Sequence, residues 1–155
     1  MMHSRMFSSR PLLVLVLVLV LLATGSGCIG TATPTRTPPY SQTDLQIGPG
    51  DEAVTGMVVS VNYTGWIHED SRPDAKGAVF DSSVGRDPFI FRLGSGGVIA
   101  GWERGVPGMR VGGIRRLVVP PSLAYGAPRT QVLPPYAALL FEIELLSVTA
   151  EASGR

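Results

Sequence analysis

The feature that most constrains the fold is a two-residue alternation of apolar and polar side chains. It occurs in four short segments, residues 57–64, 89–93, 117–119 and 139–145. In the last segment one face is made of Leu139, Phe141, Ile143 and Leu145, and the opposite face includes Glu142 and Glu144. Successive side chains of a strand point to opposite faces, so this period predicts strands that are buried on one side. We therefore expect an antiparallel sheet with one solvent-exposed face.

One segment, residues 99–106, has helical periodicity instead. Ile99, Trp102 and Val106 fall on one helical face, and a Pro-Gly pair follows the segment and ends it. A single short helix, without alternating long helices and parallel strands, is typical of the α+β fold class. We expect this helix to lie across the apolar face of the sheet, with Trp102 between them.

The N-terminus has the composition of an export signal. Hydrophobic residues make up 45% of the 155 residues, and residues 12–22 are an unbroken run of Leu and Val. Arg5 and Arg10 precede this run and small residues follow it, which is the order found in signal peptides. The run is shorter than the roughly 20 apolar residues that a membrane-spanning helix needs. We assign residues 1–27 to a signal peptide and exclude them from the fold.

Cys28 is the only cysteine, so neither an internal disulfide nor a cysteine-based zinc site can form. It directly follows the small residues that end the signal segment, and there it resembles the lipidated cysteine of bacterial lipoproteins. We expect cleavage just before Cys28 and acyl chains that anchor the new N-terminus to a membrane of the bacterial cell envelope. Cleavage elsewhere, giving a soluble secreted or periplasmic protein, and an uncleaved anchor are the alternatives.

Composition divides the remainder of the chain into three parts. Residues 28–46 begin with Cys28 and are rich in Thr, Pro and Ser, which predicts an extended tether without a core. Residues 47–149 contain the strand and helix patterns and are the predicted folded domain, with a loop expected at residues 67–79. Residues 150–155 are small and polar, and we expect a frayed tail there.

Large aromatic side chains are distributed through the domain so that its strands and turns could bring them together around one pocket. One carboxylate, Asp81, accompanies them, with no His, Cys or metal cluster beside it. Such a site would bind an apolar group and perform no conventional acid–base chemistry. Core packing is the alternative for each ring, because an aromatic side chain on a strand is usually part of the core. The aromatic residues are Tyr63, Phe80, Phe89, Phe91, Trp102, Tyr125 and Phe141.

Other classes of function lack the residues that they need. The Gly-rich residues 94–97 are not followed by the Lys-Ser/Thr of a phosphate-binding loop. His68 is the single histidine of the domain, and no pattern places it against a serine as a hydrolase requires. A formal net charge of +1 argues against a nucleic-acid-binding surface. We expect no cofactor and no metal.

The order and spacing of short motifs through the domain resemble the FKBP-type peptidyl-prolyl cis-trans isomerases. The motifs include Tyr63-Thr64-Gly65, Phe80-Asp81-Ser82-Ser83, Val98-Ile99-Ala100-Gly101-Trp102-Glu103 and Ala124-Tyr125-Gly126. The resemblance implies a twisted antiparallel sheet wrapped around one short α-helix. It also implies an enzyme that accelerates rotation of X–Pro bonds in unfolded exported proteins, with a non-catalytic peptide-binding or chaperone module as the alternative.

The resemblance also implies roles for individual residues. Trp102 would form the floor under the proline ring, and Phe80 would contact the proline or the residue before it. The walls of the pocket would be Tyr63, Phe89, Val98, Ile99 and Phe141. The N–H of Ile99 and the hydroxyl of Tyr125 would hold substrate carbonyls. Asp81 would lie near the carbonyl of the rotating amide, oriented by Tyr63 and Arg86. Macrolides such as tacrolimus and rapamycin would occupy the same pocket.

Overall fold

The computed structural model describes residues 37–127 and 132–150. Within them the elements are β1 Ser41–Gln46, β2 Val58–His68, β3 Lys76–Ser82, β4 Phe89–Arg92, helix α1 Ala100–Gly105, β5 Ile114–Val119, a short 3-10 helix Pro121–Leu123 and β6 Leu139–Thr149. The predicted signal peptide, residues 28–36 of the predicted tether with Cys28 among them, and residues 151–155 of the tail lie outside the described residues. In the part of the chain that is described, no helix combines the length and the apolar character needed to cross a membrane.

The strands form one antiparallel sheet in the order β1-β5-β6-β2-β3, and β4 also pairs with β2. β6 pairs with β2 along one of its sides, and β3 and β4 share the other side. There β4 pairs with residues 58–61 of β2, and β3 pairs with residues 64–68. The gap between β3 and β4 therefore falls at Asn62 and Tyr63. The predicted α+β architecture, a sheet with one short helix, is confirmed.

The core lies between the apolar face of the sheet and α1. Burial alternates along β5 and along residues 141–146 of β6, although at the start of β6 Leu139, Leu140 and Phe141 are all buried. Leu117, Ile143 and Leu145 are completely buried there, and Val59 and Val61 of β2 lie beside them in the same cluster. Each such side chain contributes about 1.5–3 kcal/mol through removal of apolar surface from water. The helix ends where Pro107 is followed by Gly108, which has a positive φ of 81°.

Strand β1 corrects the predicted boundary of the tether. Residues 41–46 were assigned to the tether, but they pair with β5 and form one edge of the sheet. All six side chains of β1 are exposed, so the strand has no alternation that a sequence pattern could reveal. Its attachment comes from backbone pairing and from the Asp44 carboxylate, which accepts hydrogen bonds of 2.6 and 3.0 Å from buried Arg115.

The predicted loop at residues 67–79 is also wrong at both ends. β2 continues to His68, and β3 already begins at Lys76. The pairing of β2 with β3 shifts register between Gly65 and Trp66 and again between Trp66 and His68. These irregularities interrupt the two-residue period, and that is why the sequence pattern does not mark β3.

Candidate functional site

A cavity of about 300 Å³ opens beside the N-terminal end of α1. Four strands contribute side chains to it, and the remainder come from α1, from the segment before it and from the loop after the 3-10 helix. The lining residues are Tyr63, Phe80, Asp81, Phe89, Gly97, Val98, Ile99, Trp102, Tyr125 and Phe141. A cavity of this size is within the lower range of small-ligand sites, and six of its ten lining residues are aromatic.

Trp102 is the central ring of the cavity and only 4% exposed. The rings of Tyr63 and Phe141 meet it edge to face, with centroid distances of 5.1 and 5.3 Å. Phe89 lies 6.1 Å away in the same type of arrangement. Such T-shaped pairs are favourable because the positive edge of one ring faces the negative face of the other. The indole N–H is buried without a hydrogen-bond partner among the described residues, so ring packing holds Trp102 in place.

Phe91 is not part of the cavity wall, unlike the other aromatic residues singled out in the sequence. It is 8% exposed and lies in the core, 5.6 Å from the ring of Phe89 and 5.7 Å from Trp102. Its position follows from the pleat of β4, which directs Phe89 and Phe91 to the same face. Phe91 therefore packs against the rings of Phe89 and Trp102 from the core side.

Phe80 and Phe141 form one side of the cavity, with ring centroids 5.6 Å apart in a T-shaped pair. Phe141 is 2% exposed, whereas Phe80 is only partly buried. Gly65 of β2 lies next to both rings. A Cβ atom at Gly65 would be 2.7 Å from the nearest atom of Phe80 and 3.0 Å from Phe141. The absence of a side chain at Gly65 therefore gives this ring pair its space.

Asp81 is the polar centre of the site and accepts three hydrogen bonds. The hydroxyl of Tyr63 donates to Oδ2 at 2.5 Å, and Arg86 Nη2 and the backbone N–H of Ser82 donate to Oδ1 at 2.8 Å each. Burial alone would raise the pKa of Asp81, but these donors, of which Tyr63 and Arg86 contribute most, hold it below its ordinary value. The contacts of Asp81 with Tyr63 and Arg86 are those expected from the sequence.

The two tyrosines of the site stay protonated at neutral pH. Burial, together with the hydrogen bond to the Asp81 carboxylate, raises the pKa of Tyr63 to about 12. Burial and the nearby Asp81 charge also raise the pKa of Tyr125, whose side chain is half exposed at the cavity. The site therefore presents an ionised carboxylate and two phenolic O–H groups. Since the carboxylate has a lowered pKa, it is a weak general base.

Arg86 does not line this cavity. Its side chain is 63% exposed and reaches Asp81 from the loop between β3 and β4, where it lines a neighbouring cavity. The structure brings the other nine predicted pocket residues together, and their individual roles remain predictions. Cys28 lies outside the described residues. Within residues 37–127 and 132–150, no cluster of three His, Cys, Asp or Glu side chains could hold a metal ion.

Sequence reasoning missed the part that Ser83 and Gly97 play. Gly97 lines the cavity as backbone. Ser83 is 4% exposed, and its backbone N–H donates to the carbonyl of Tyr63 at 3.0 Å while its Oγ accepts from the N–H of Tyr63 at 2.9 Å. These bonds fix the backbone of Tyr63 in the gap between β3 and β4. The available signal was the motif Phe80-Asp81-Ser82-Ser83, but a sequence motif does not show which backbone groups its serines bind.

Comparison with known proteins finds the same sequence pattern and the same fold elsewhere. The family model described as FKBP-type peptidyl-prolyl cis-trans isomerase matches residues 50–146. The FK506-binding protein of Neisseria meningitidis serogroup B is 47% identical over 107 residues, which are 68% of this chain and 92% of that protein. The crystal structure of AtFKBP13 is 36% identical with a TM-score of 0.60, covering 73% of this chain and 96% of its own. The crystal structure of FkpA from Escherichia coli is 35% identical with a TM-score of 0.60, covering 76% of this chain and 52% of its own.

Proposed function

This chain belongs to the FKBP-type peptidyl-prolyl cis-trans isomerase family, and we propose that it catalyses X–Pro rotation in exported proteins while they fold. The observation that carries the proposal is the cavity itself, in which six aromatic residues surround one ionised carboxylate. Proline is apolar, so its ring suits the floor formed by Trp102. The cavity has no nucleophile–base pair among the residues that line it, and isomerisation needs none.

The chemistry follows from the X–Pro amide. Rotation about this bond removes amide resonance and has a barrier of about 18–20 kcal/mol, so it takes tens to hundreds of seconds unaided. At the twisted transition state the carbonyl loses its charge-separated character and the nitrogen becomes pyramidal. A dry pocket that binds this twisted form more tightly than either planar form lowers the barrier without a covalent step.

We assign the polar groups of the site to positioning. The Tyr125 hydroxyl and the backbone N–H of Ile99 hold substrate carbonyls on the two sides of the proline. Asp81 faces the carbonyl of the rotating amide, which belongs to the residue before proline. Tyr63 and Arg86 orient Asp81, as their hydrogen bonds of 2.5 and 2.8 Å support.

The assay that tests this function measures cis–trans exchange in a short Leu-Pro or Phe-Pro peptide in the presence of residues 37–150. We expect acceleration, and we expect Asp81→Asn to lower kcat/KM at least about tenfold, which corresponds to about 1.4 kcal/mol. Asp51→Asn, which removes an exposed charge away from the cavity, is the matched control. Phe141→Ala should also be slower, but its buried ring makes a stability loss of about 3–5 kcal/mol part of the result.

The competing function on the same fold is a non-catalytic peptide-binding or chaperone module. A folded wild-type domain that binds a proline peptide yet leaves its exchange at the unaided rate would favour that module. The name of the Neisseria relative refers to binding of FK506, the macrolide also called tacrolimus. We propose that tacrolimus and rapamycin occupy the cavity of this chain and compete with the peptide.

We further propose that the protein is exported and held at a membrane of the bacterial cell envelope by acylated Cys28. The Leu/Val run at residues 12–22, the preceding arginines and the small residues before Cys28 support this proposal. Expressed as the full chain in a bacterium, the protein should sediment with membranes. Cys28→Ala should release it, whereas Ser26→Ala should leave it membrane-bound, and identical fractionation of the Cys28→Ala variant and wild type would contradict the anchor.

A further inference from the structure

Tyr40, the residue directly before β1, contacts helix α1 without lining the cavity. Its side chain is partly buried and packs against the main hydrophobic cluster. The hydroxyl donates to the backbone carbonyl of Gly101 at 3.2 Å, and the amide oxygen of Gln42 in β1 is a second acceptor at 3.3 Å. The guanidinium of Arg104 lies 5.3 Å from the centre of the Tyr40 ring, within the range of a cation–π contact. Tyr40 therefore joins the N-terminal edge of the domain to the helix that carries Trp102.

The contact is close because the helix has two glycines there. A Cβ atom at Gly105 would be 2.6 Å from the Tyr40 hydroxyl oxygen and 2.6 Å from a methyl carbon of Leu117 in β5. A Cβ atom at Gly101 would be 2.5 Å from Val119 of the same strand. At these two positions no side chain separates the backbone of α1 from its neighbours. The contacts with β5 and Tyr40 therefore place the helix backbone directly.

The carbonyl that accepts the bond from Tyr40 belongs to a peptide unit of the site. The Gly101 carbonyl and the Trp102 N–H are the two polar ends of one planar group, which moves as a rigid body. Tyr40 holds the carbonyl end, and the N–H end donates to the carbonyl of Ile99 at 2.9 Å. Trp102 and Ile99 both line the cavity. A tilt of this peptide unit would move the floor of the cavity and the residue whose N–H is assigned to a substrate carbonyl.

Helix α1 depends on such contacts for its orientation. It has six residues, and its N-cap Ile99 makes no side-chain capping bond. A helix of this length is not stable alone, so its neighbours must hold it. Buried Arg115 binds the C-terminal end, where its Nη1 donates to the carbonyl of Gly105 at 2.8 Å. Tyr40 is the corresponding contact at the N-terminal end, beside the cavity.

We propose that Tyr40 is a positioning residue for the isomerase reaction and acts through the Gly101–Trp102 peptide unit on the floor of the cavity. The inference rests on the proposed isomerase function. Loss of the Tyr40 hydroxyl frees the carbonyl end of the peptide unit and lets Trp102 shift. Because a misplacement of about 1 Å can reduce a rate about a hundredfold, a smaller shift here should lower kcat/KM about fivefold.

The test uses the full chain and measures cis–trans exchange of a Leu-Pro peptide by NMR at 25 °C. Tyr40→Phe keeps the ring and removes only the hydroxyl, and it should lower kcat/KM about fivefold. Tyr136→Phe makes the same change at a tyrosine that is 69% exposed and does not line the cavity, so it should keep wild-type kcat/KM. Urea unfolding of each variant shows whether the domain is folded under the conditions of the assay.

A double-mutant cycle separates positioning from a general effect on the fold. In the Trp102→Phe background, Tyr40→Phe should change kcat/KM by less than about twofold, because the indole that Tyr40 positions is gone. A general loss of folded protein would instead lower kcat/KM about fivefold in both backgrounds.

Each outcome bears on the proposal. Wild-type kcat/KM in Tyr40→Phe overturns the role of Tyr40 while the isomerase function stands. An equal loss in Tyr136→Phe, an equal loss in both backgrounds of the cycle, or a Tyr40→Phe chain that does not fold also overturns it. If the wild-type chain accelerates no X–Pro exchange, the proposed function fails and the role of Tyr40 fails with it. The comparison of Tyr40→Phe with wild type remains decisive even if Trp102→Phe does not fold.

Discussion

Gly65→Ala tests whether the shape of the aromatic pocket sets the activity. The added Cβ would lie 2.7 and 2.8 Å from two atoms of the Phe80 ring and 3.0 Å from Phe141. Non-bonded carbon atoms are most favourable at about 3.5–4.0 Å, so the overlap is roughly 0.5–1 Å. Phe141 is 2% exposed and cannot move far, whereas partly exposed Phe80 can. We therefore expect Phe80 to be displaced by about 1 Å.

Two effects on stability oppose each other. Overpacking of a well-packed site costs about 1–3 kcal/mol, while replacement of Gly by Ala in a strand recovers about 0.5–1 kcal/mol of backbone entropy. The net loss of unfolding free energy is about 0–2.5 kcal/mol, which leaves the domain folded at 25 °C. Displacement of a pocket wall by about 1 Å can reduce a rate by up to about a hundredfold, and we expect kcat/KM to fall about tenfold.

The assay compares Gly65→Ala with Val59→Ala, a buried core substitution at the other end of β2. Val59 does not line the cavity, so this control should lose a similar amount of stability but retain wild-type kcat/KM. Peptide exchange is measured at 25 °C, and urea unfolding gives the stability of each variant. A stable Gly65→Ala domain with full activity would refute the claim that the placement of these two rings determines turnover.

Two further predictions concern pH and the N-terminal strand. The lowered pKa of Asp81 and the raised pKa values of Tyr63 and Tyr125 should keep kcat/KM flat from about pH 5 to pH 9, and a bell-shaped profile centred near neutrality would contradict the assigned roles. The stability that Asp81 contributes is present above its unfolded pKa of about 3.8 and is lost below it, as pH falls through the folded value. A chain that begins at Gly48 loses β1 and leaves buried Arg115 without Asp44, so urea unfolding should show it less stable by about 2–4 kcal/mol than one that begins at residue 37. If the two chains were equally stable, residues 41–46 would contribute nothing to the fold, and the predicted end of the tether at residue 46 would be right.

Most of the sheet could be predicted from sequence because its strands have one buried face. Over residues 117–119 of β5 and 141–145 of β6 the predicted alternation matches the burial pattern, whereas buried Arg115 and buried Leu140 depart from it. β1 could not be predicted, since all its side chains are exposed and its pairing depends on backbone groups and on the Asp44–Arg115 contact across 71 residues. β3 could not be predicted because register shifts against β2 disturb its period.

The membership of the pocket could be predicted from motif resemblance, and its internal contacts only in part. The pairing of Asp81 with Tyr63 and Arg86 was expected, and the structure shows both hydrogen bonds. The two bonds by which Ser83 holds the backbone of Tyr63 were not, because they depend on how the loop after β3 enters the gap before β4. Neither periodicity nor composition carries information about such a loop path. The neighbouring cavity that Arg86 lines could not be predicted for the same reason.

The site and the core share residues, and this decides which experiments can separate function from stability. Trp102 and Phe141 are 4% and 2% exposed, so each is at once a wall of the cavity and a member of the main hydrophobic cluster. Truncation of either ring creates a core cavity, and a loss of activity would then have two causes. Asp81 is different, because its side chain is 45% exposed and contacts the pocket through polar bonds. Asp81→Asn keeps the shape of the side chain and removes its charge and one of its two acceptor oxygens, so it tests the polar part of the mechanism. The ring displacement caused by Gly65→Ala tests the part due to shape.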